Sequence, residues 1–166
     1  MTHSQPILVV IDPTDTAGHL LQEAAAHARG TGSDLIVLSV MSTADYEARA
    51  EALNDLRQLN LYYTYDHAVD ASYNVAERLA LEALGDSDVE FTAIGYVGRP
   101  EDAVLAACDR YDCEHVFVAG HRRALRDVLR RIPDTAVSIE RSFPGNVTVF
   151  YDHLFAESPE SAGTDA

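Results

Sequence analysis

Short apolar runs alternate along the chain with stretches whose apolar positions recur at helical spacing. Five runs are predicted to be strands, and the first two have the apolar character of strands buried on both faces. They are Ile7–Ile11, Asp34–Val40, Phe91–Val97, Glu114–Ala119 and Asn146–Phe150. Strands that alternate with helices predict a three-layer, doubly wound α/β fold with a five-stranded parallel sheet.

Glycine and proline mark the ends of the predicted helices. Gly30 and Gly32 stop the first helix, and Pro100 opens another with acidic residues in its first turn. The long connection after the second strand predicts a charged helix from Tyr46 to Leu59 and a better one from Ser72 to Leu84. We treat Met41–Ala71 as an elaboration of the crossover.

The charge of the chain is strongly negative. It has 27 acidic and 12 basic residues, a net charge of -15 at pH 7, and every basic side chain other than histidine is arginine. Without lysine, a P-loop and Schiff-base chemistry are excluded. The negative charge disfavours nucleic acid and anionic membranes as partners. It is typical of a halophilic protein from a high-salt cytoplasm, although an acidic mesophilic protein is the alternative.

The length of 166 residues predicts one domain, and the start of the chain and its cysteines predict a cytoplasmic protein. The start, MTHSQPILVVID, has no charged region and only a short apolar run, so we expect neither a signal peptide nor a membrane span. Cys108 and Cys113 are expected to be reduced thiols. We place the α/β domain at residues 1–151 and expect the acidic tail 152–166 to be disordered.

Several motifs occur in an order that identifies a family. They are VVIDPTDTA at the first strand, GRPEDAVLAA after the third, HVFVAG at the fourth, and Pro144–Gly145 before the last. With these motifs the chain resembles the universal stress protein family, UspA-like, over residues 6–150. The resemblance implies a sheet of order 3-2-1-4-5 with a crevice between strands 1 and 4. It also implies a homodimer through the last strand, Val147–Phe150, although that segment could simply be an edge strand.

Many members of this family bind ATP through a motif of glycine, two residues, glycine, nine residues, then Gly-Ser or Gly-Thr. Here its first position is Gly120, the second is Arg123, and the third is Pro133, followed by Asp134 and Thr135. Arginine does not readily take the backbone conformations open to glycine, and proline donates no amide proton. Asp134 places a negative charge where a phosphate would lie. We therefore expect ATP-phosphate binding to be impaired.

The residues expected around the adenosine half of such a site match the family pattern better than those around the phosphates do. Asp12 and Val40, with Pro13 and Thr14 after the first strand, match positions that the family uses around adenosine. Arg122 and Arg123, with Arg126, could bind phosphate in place of the glycines. Alternatively, these arginines form a solvated helix face.

Other chemistry has weaker support. Cys113, His115 and His121 are too few for a recognisable zinc motif, and no GxSxG or GxGxxG is present. Clustered tyrosines (Tyr62, Tyr63, Tyr65 and Tyr73) could form an interface, but packing of the crossover is the favoured role.

These observations favour a homodimeric regulatory or binding protein with unidentified protein partners. The alternative is an adenine-nucleotide binder that takes ATP or AMP, with magnesium, through arginines. A slow nucleotide hydrolase is the least favoured class, because no catalytic constellation stands out.

Overall fold

The computed structural model describes residues 4–12, 16–54, 63–120 and 135–151, which form five strands and five helices. The strands are β1 (Ile7–Ile11), β2 (Leu35–Met41), β3 (Phe91–Val97), β4 (His115–Gly120) and β5 (Asn146–Tyr151). The helices are α1 (Thr16–Thr31), α2 (Thr43–Asn54), α3 (Tyr65–Leu84), α4 (Pro100–Tyr111) and α5 (Thr135–Ser142). Each strand lies within one residue of its predicted bounds.

All the strands pair in parallel, in the order β3-β2-β1-β4-β5, so the predicted topology is confirmed. β1 is the central strand, and each of its residues is buried because helices cover both faces of the sheet. Ile7, Val9 and Ile11 join one hydrophobic cluster, whereas Leu8 and Val10 join the other. This division follows from the alternation of side chains along a strand.

The helices form the two outer layers of the predicted three-layer arrangement. Small and aliphatic residues of α1 and α3 pack with Ile7, Val9 and Ile11, while those of α4 and α5 pack with Leu8 and Val10. The apolar positions expected to face the sheet from α1 are all buried; they are Leu20, Leu21, Ala24, Ala25 and Ala28.

The structure corrects the prediction for the long connection. α3 begins at Tyr65 rather than at Ser72, because Thr64 caps it: the His67 amide donates to Thr64 Oγ1 at 3.3 Å and the Thr64 amide donates to His67 Nδ1 at 3.2 Å. The buried residues of α3 lie four residues apart, and one of them is a serine. This polar residue concealed the helical pattern of apolar positions in the sequence. This buried stripe is Ala68, Ser72, Ala76, Ala80 and Leu84.

α3 lies very close to the edge strand β3. A Cβ atom at Gly95 would overlap the backbone nitrogen of Tyr73 and the carbonyl oxygen of Val69. Glycine therefore allows the helix backbone to rest directly on the strand. This contact fixes the position of the middle of α3, which in turn forms one wall of the cavity described below.

Several predicted features lie outside the described residues. They are the last part of the charged helix predicted from Tyr46 to Leu59, the arginine-rich segment 121–134 and the tail 152–166. The first part of that charged helix is present as α2, which begins at Thr43.

Candidate functional site

The carboxyl ends of the three central strands bring together the residues that the sequence singled out. Ile11 pairs with Ser39, so Asp12 and Val40, one residue further on, come side by side. Val10 pairs with both Leu38 and Val118, so Gly120 at the end of β4 is level with Asp12. Ligands of open α/β sheets bind at this edge. Three of the predicted site residues, Asp12, Val40 and Gly120, therefore lie at the same edge of the sheet.

A cavity of about 210 Å³ opens at this edge beside Asp12. The ends of β1 and β2, together with α2 and α3, form its walls. The lining residues are Asp12, Ser39, Val40, Met41, Asp45, Arg49, Ala71, Ser72 and Val75. An apolar wall and a few charged groups at the mouth are the usual composition of a small-molecule site.

A buried hydrogen bond connects two walls of the cavity. Ser72 Oγ on α3 donates to the carbonyl oxygen of Ser39 on β2 at 2.7 Å. Both serines are buried, so this bond is shielded from water. It holds α3 against the end of β2, next to Val40.

α2 rises directly from the end of β2 and carries two charged groups into the cavity wall. Ser42 caps the helix, because its Oγ accepts a hydrogen bond from the Asp45 amide at 3.1 Å. Asp45 and Arg49 follow one turn apart, and both line the cavity. Sequence reasoning treated this segment as a charged helix and missed both residues. The sequence did contain a signal for them, because an aspartate and an arginine four residues apart follow directly after a strand.

Aromatic residues hold α2 and the start of α3 together. The ring of Tyr46 lies 5.9 Å from that of Tyr63 and 6.1 Å from that of Tyr65. Tyr63 Oη donates toward Met41 Sδ at 3.8 Å, and Tyr65 Oη donates to the carbonyl oxygen of Val97 at 3.3 Å. Tyr63 and Tyr65 thus pack the crossover onto the strand ends, which was the favoured role.

Tyr73, a further member of the predicted tyrosine cluster, does not join this packing. Tyr73 is exposed on α3 and donates to Glu77 Oε1 at 3.3 Å. Glu77 raises the pKa of this phenol, first through its charge and also through the hydrogen bond. Tyr62 lies outside the described residues.

The structure places the other predicted site residues as follows. Thr135 is the first residue of α5 and is half-buried, but neither it nor Gly120 lines the cavity. The rest of the predicted set lies outside the described residues: Pro13, Thr14, Arg122, Arg123 and Asp134.

Two of the three residues considered for zinc, Cys113 and His115, lie at the opposite, amino-terminal edge, whereas His121 lies outside the described residues. His115 Nε2 is 2.7 Å from Thr148 Oγ1, and its ring lies 5.0 Å from that of His27. Burial, and then the neighbouring His27, lower the pKa of His115. Cys113 is buried with Cys108, whose pKa is raised by their hydrogen bond and by burial. Among the described residues no group of three or more potential ligands surrounds a metal position.

The comparisons with known proteins agree with this fold. The chain matches the model of the universal stress protein family over residues 3–150, so it belongs to that family. No curated protein sequence matches it. Within the described residues, no helix is both long and apolar enough to cross a membrane.

Solved universal stress proteins share the fold. One in complex with cAMP is 14% identical, with a TM-score of 0.57 and coverage of 90% of this chain and 98% of its own. One from Archaeoglobus fulgidus in complex with dAMP is 14% identical, with a TM-score of 0.56 and coverage of 87% and 96%. UspA from Lactobacillus plantarum is 19% identical, with a TM-score of 0.55 and coverage of 90% and 99%.

Proposed function

We propose that this universal stress protein is a regulatory protein that binds the adenosine half of an adenine nucleotide at the carboxyl edge of its sheet. The observation that carries this proposal is the cavity beside Asp12, in which Asp12 and Val40 lie next to each other. Val40 offers an apolar surface to a base, and the carboxylate of Asp12 accepts hydrogen bonds from a nucleoside. The solved relatives in complex with cAMP and dAMP support the same ligand class.

We propose further that the second and third phosphates of ATP add little to binding. This rests on the sequence, in which Arg123 and Pro133 stand where the family motif has glycines and Asp134 adds a negative charge. A mononucleotide such as AMP is then the preferred class of ligand, and magnesium is not needed. Had Arg122 and Arg123 replaced the glycine loop as a phosphate clamp, ATP would bind more tightly than AMP.

Calorimetric titration of adenosine, AMP and ATP into the protein tests this function. We expect adenosine and AMP to bind, and ATP to bind no more tightly than AMP. Asp12→Asn should weaken the binding of adenosine by about ten-fold or more, because a hydrogen bond to a charged group is lost from the site. The matched control is Asp34→Asn, the same change at an exposed residue just before β2, at the opposite edge of the sheet. An equal loss of adenosine affinity in the two variants, or no binding of adenosine and AMP by the wild type, would refute the proposal.

The protein is also proposed to be a homodimer through β5. β5 pairs with β4 on one side, and no described strand lies on its other side. An open edge of this kind offers unpaired backbone groups to a second copy. Sedimentation equilibrium should give twice the 18.1 kDa mass of the chain. A mass of one chain at every protein concentration tested would contradict the dimer.

A further inference from the structure

We propose that Arg49 on α2 binds the phosphate of the ligand, so that the site selects a nucleoside monophosphate over the free nucleoside. This inference rests on the proposed function and names a phosphate contact on α2, outside the family's glycine motif. The ligand would lie with its base against Val40 and its phosphate toward α2.

The charges around the cavity single out Arg49. The described residues that line it include two carboxylates, Asp12 and Asp45, and one cationic side chain, Arg49. The chain as a whole carries a net charge of -15, which repels a phosphate. A mononucleotide that enters this cavity therefore needs a local cation, and a guanidinium suits a phosphate because it can donate two parallel hydrogen bonds.

Arg49 is also available for a ligand. Arg29 pairs with Asp88 at 3.0 Å, Arg78 pairs with Glu82 at 3.7 Å, and Arg99 pairs with Asp102 at 3.0 Å. Arg49, by contrast, forms no ion pair or hydrogen bond with any described residue, although Asp45 lies at the favourable spacing of four residues before it on the same helix.

The helix that carries Arg49 is held in place. Ser42 caps its start, and the ring of Tyr46, one turn before Arg49, packs between Tyr63 and Tyr65. The Arg49 backbone is therefore positioned relative to β2 by contacts that need no ligand. A ligand has to order the arginine side chain alone, which limits the entropic cost of the contact.

The size of the cavity places the phosphate at its mouth. Its volume of about 210 Å³ is below the range of roughly 300–1,000 Å³ usual for sites that enclose a whole drug-sized ligand. A base with part of the ribose fits inside, and the phosphate remains at the rim. Arg49 is exposed at that rim.

The experiment compares AMP with adenosine, by calorimetry without magnesium and at one potassium chloride concentration. In the wild type we expect AMP to bind about ten-fold more tightly than adenosine, as a charge-assisted contact of this kind would give. In Arg49→Ala the affinities for AMP and adenosine should become equal, because the phosphate of AMP loses its contact. The matched control is Arg78→Ala, which makes the same change of net charge on α3 away from the cavity and should keep the AMP preference.

The outcomes separate this inference from the proposed function. If both ligands bind and Arg49→Ala keeps the full AMP preference, Arg49 is not the phosphate contact, while the adenosine site stands. If Arg78→Ala lowers the preference as much as Arg49→Ala does, net charge and not a specific contact is responsible, and the inference fails. If ribose 5-phosphate binds the wild type as tightly as AMP, the site does not select a nucleotide. If neither adenosine nor AMP binds, the proposed function fails together with the inference.

Discussion

Replacing Gly95 with alanine should lower the melting temperature of this protein by about 6–12 °C. The added Cβ would overlap backbone atoms of α3, the Tyr73 nitrogen and the Val69 oxygen, which cannot rotate away as a side chain can. Relief requires a shift of α3 from β3, and overpacking of this kind costs about 3 kcal/mol of unfolding free energy. The measurement is thermal unfolding followed by circular dichroism. The same variant should weaken the binding of adenosine, because Ser72 and Val75 on α3 line the cavity.

The matched control for Gly95 is Gly30, a glycine in the last turn of α1. A Cβ at Gly30 meets no atom within 4 Å, so alanine fits there and should raise the stability of the helix by up to ~1 kcal/mol. The two Gly→Ala changes are thus expected to shift the melting temperature in opposite directions. A melting temperature of Gly95→Ala equal to that of the wild type would show that α3 does not rest on β3 as described.

Raising potassium chloride from 0.1 M to 2 M should raise the melting temperature by about 10 °C. The chain has 27 acidic residues and 12 basic ones, so carboxylates repel one another across its surface. Most ion pairs of the described residues join exposed side chains, as in Arg29–Asp88 and Arg78–Glu82, and exposed pairs contribute little. Salt relieves the repulsion because the screening length falls well below the spacing of surface charges.

Acid pH provides the control for the salt experiment. Near pH 4.6, the isoelectric point calculated from the sequence, the net charge approaches zero and the repulsion vanishes. The increase in melting temperature with salt should then be much smaller than at pH 7. An equal increase at both pH values would mean that salt acts by strengthening apolar burial rather than by screening charge. No increase at pH 7 would contradict the halophilic interpretation of the composition.

The three central strands could be predicted closely because they are buried on both faces. Such strands are continuous apolar runs, as in Ile7–Ile11, and their ends show clearly in the sequence. The start of α3 could not be predicted in the same way. Its cap depends on Thr64 and His67, where a capping box usually has glutamate or glutamine, and its buried stripe includes Ser72, which bonds to a strand carbonyl instead of packing as an apolar residue.

The site was predictable where it depends on strand order alone. Asp12 and Val40 follow neighbouring parallel strands, so their proximity follows from the topology. Asp45 and Arg49 were missed because their place depends on where α2 is packed. That packing comes from rings far apart in the sequence, Tyr46 against Tyr63 and Tyr65, and no local pattern records it.

The central place of β1 has a consequence for the making of this protein. β1 leaves the ribosome before the other four strands of this sheet, yet it needs β2 on one side and β4 on the other, since Ile7 pairs with both Leu35 and His115. Until β4, which begins at His115, has been synthesised, one backbone edge of β1 stays unpaired and open to other chains and to chaperones. β1 is therefore enclosed late, and a halt in translation before β4 leaves it exposed.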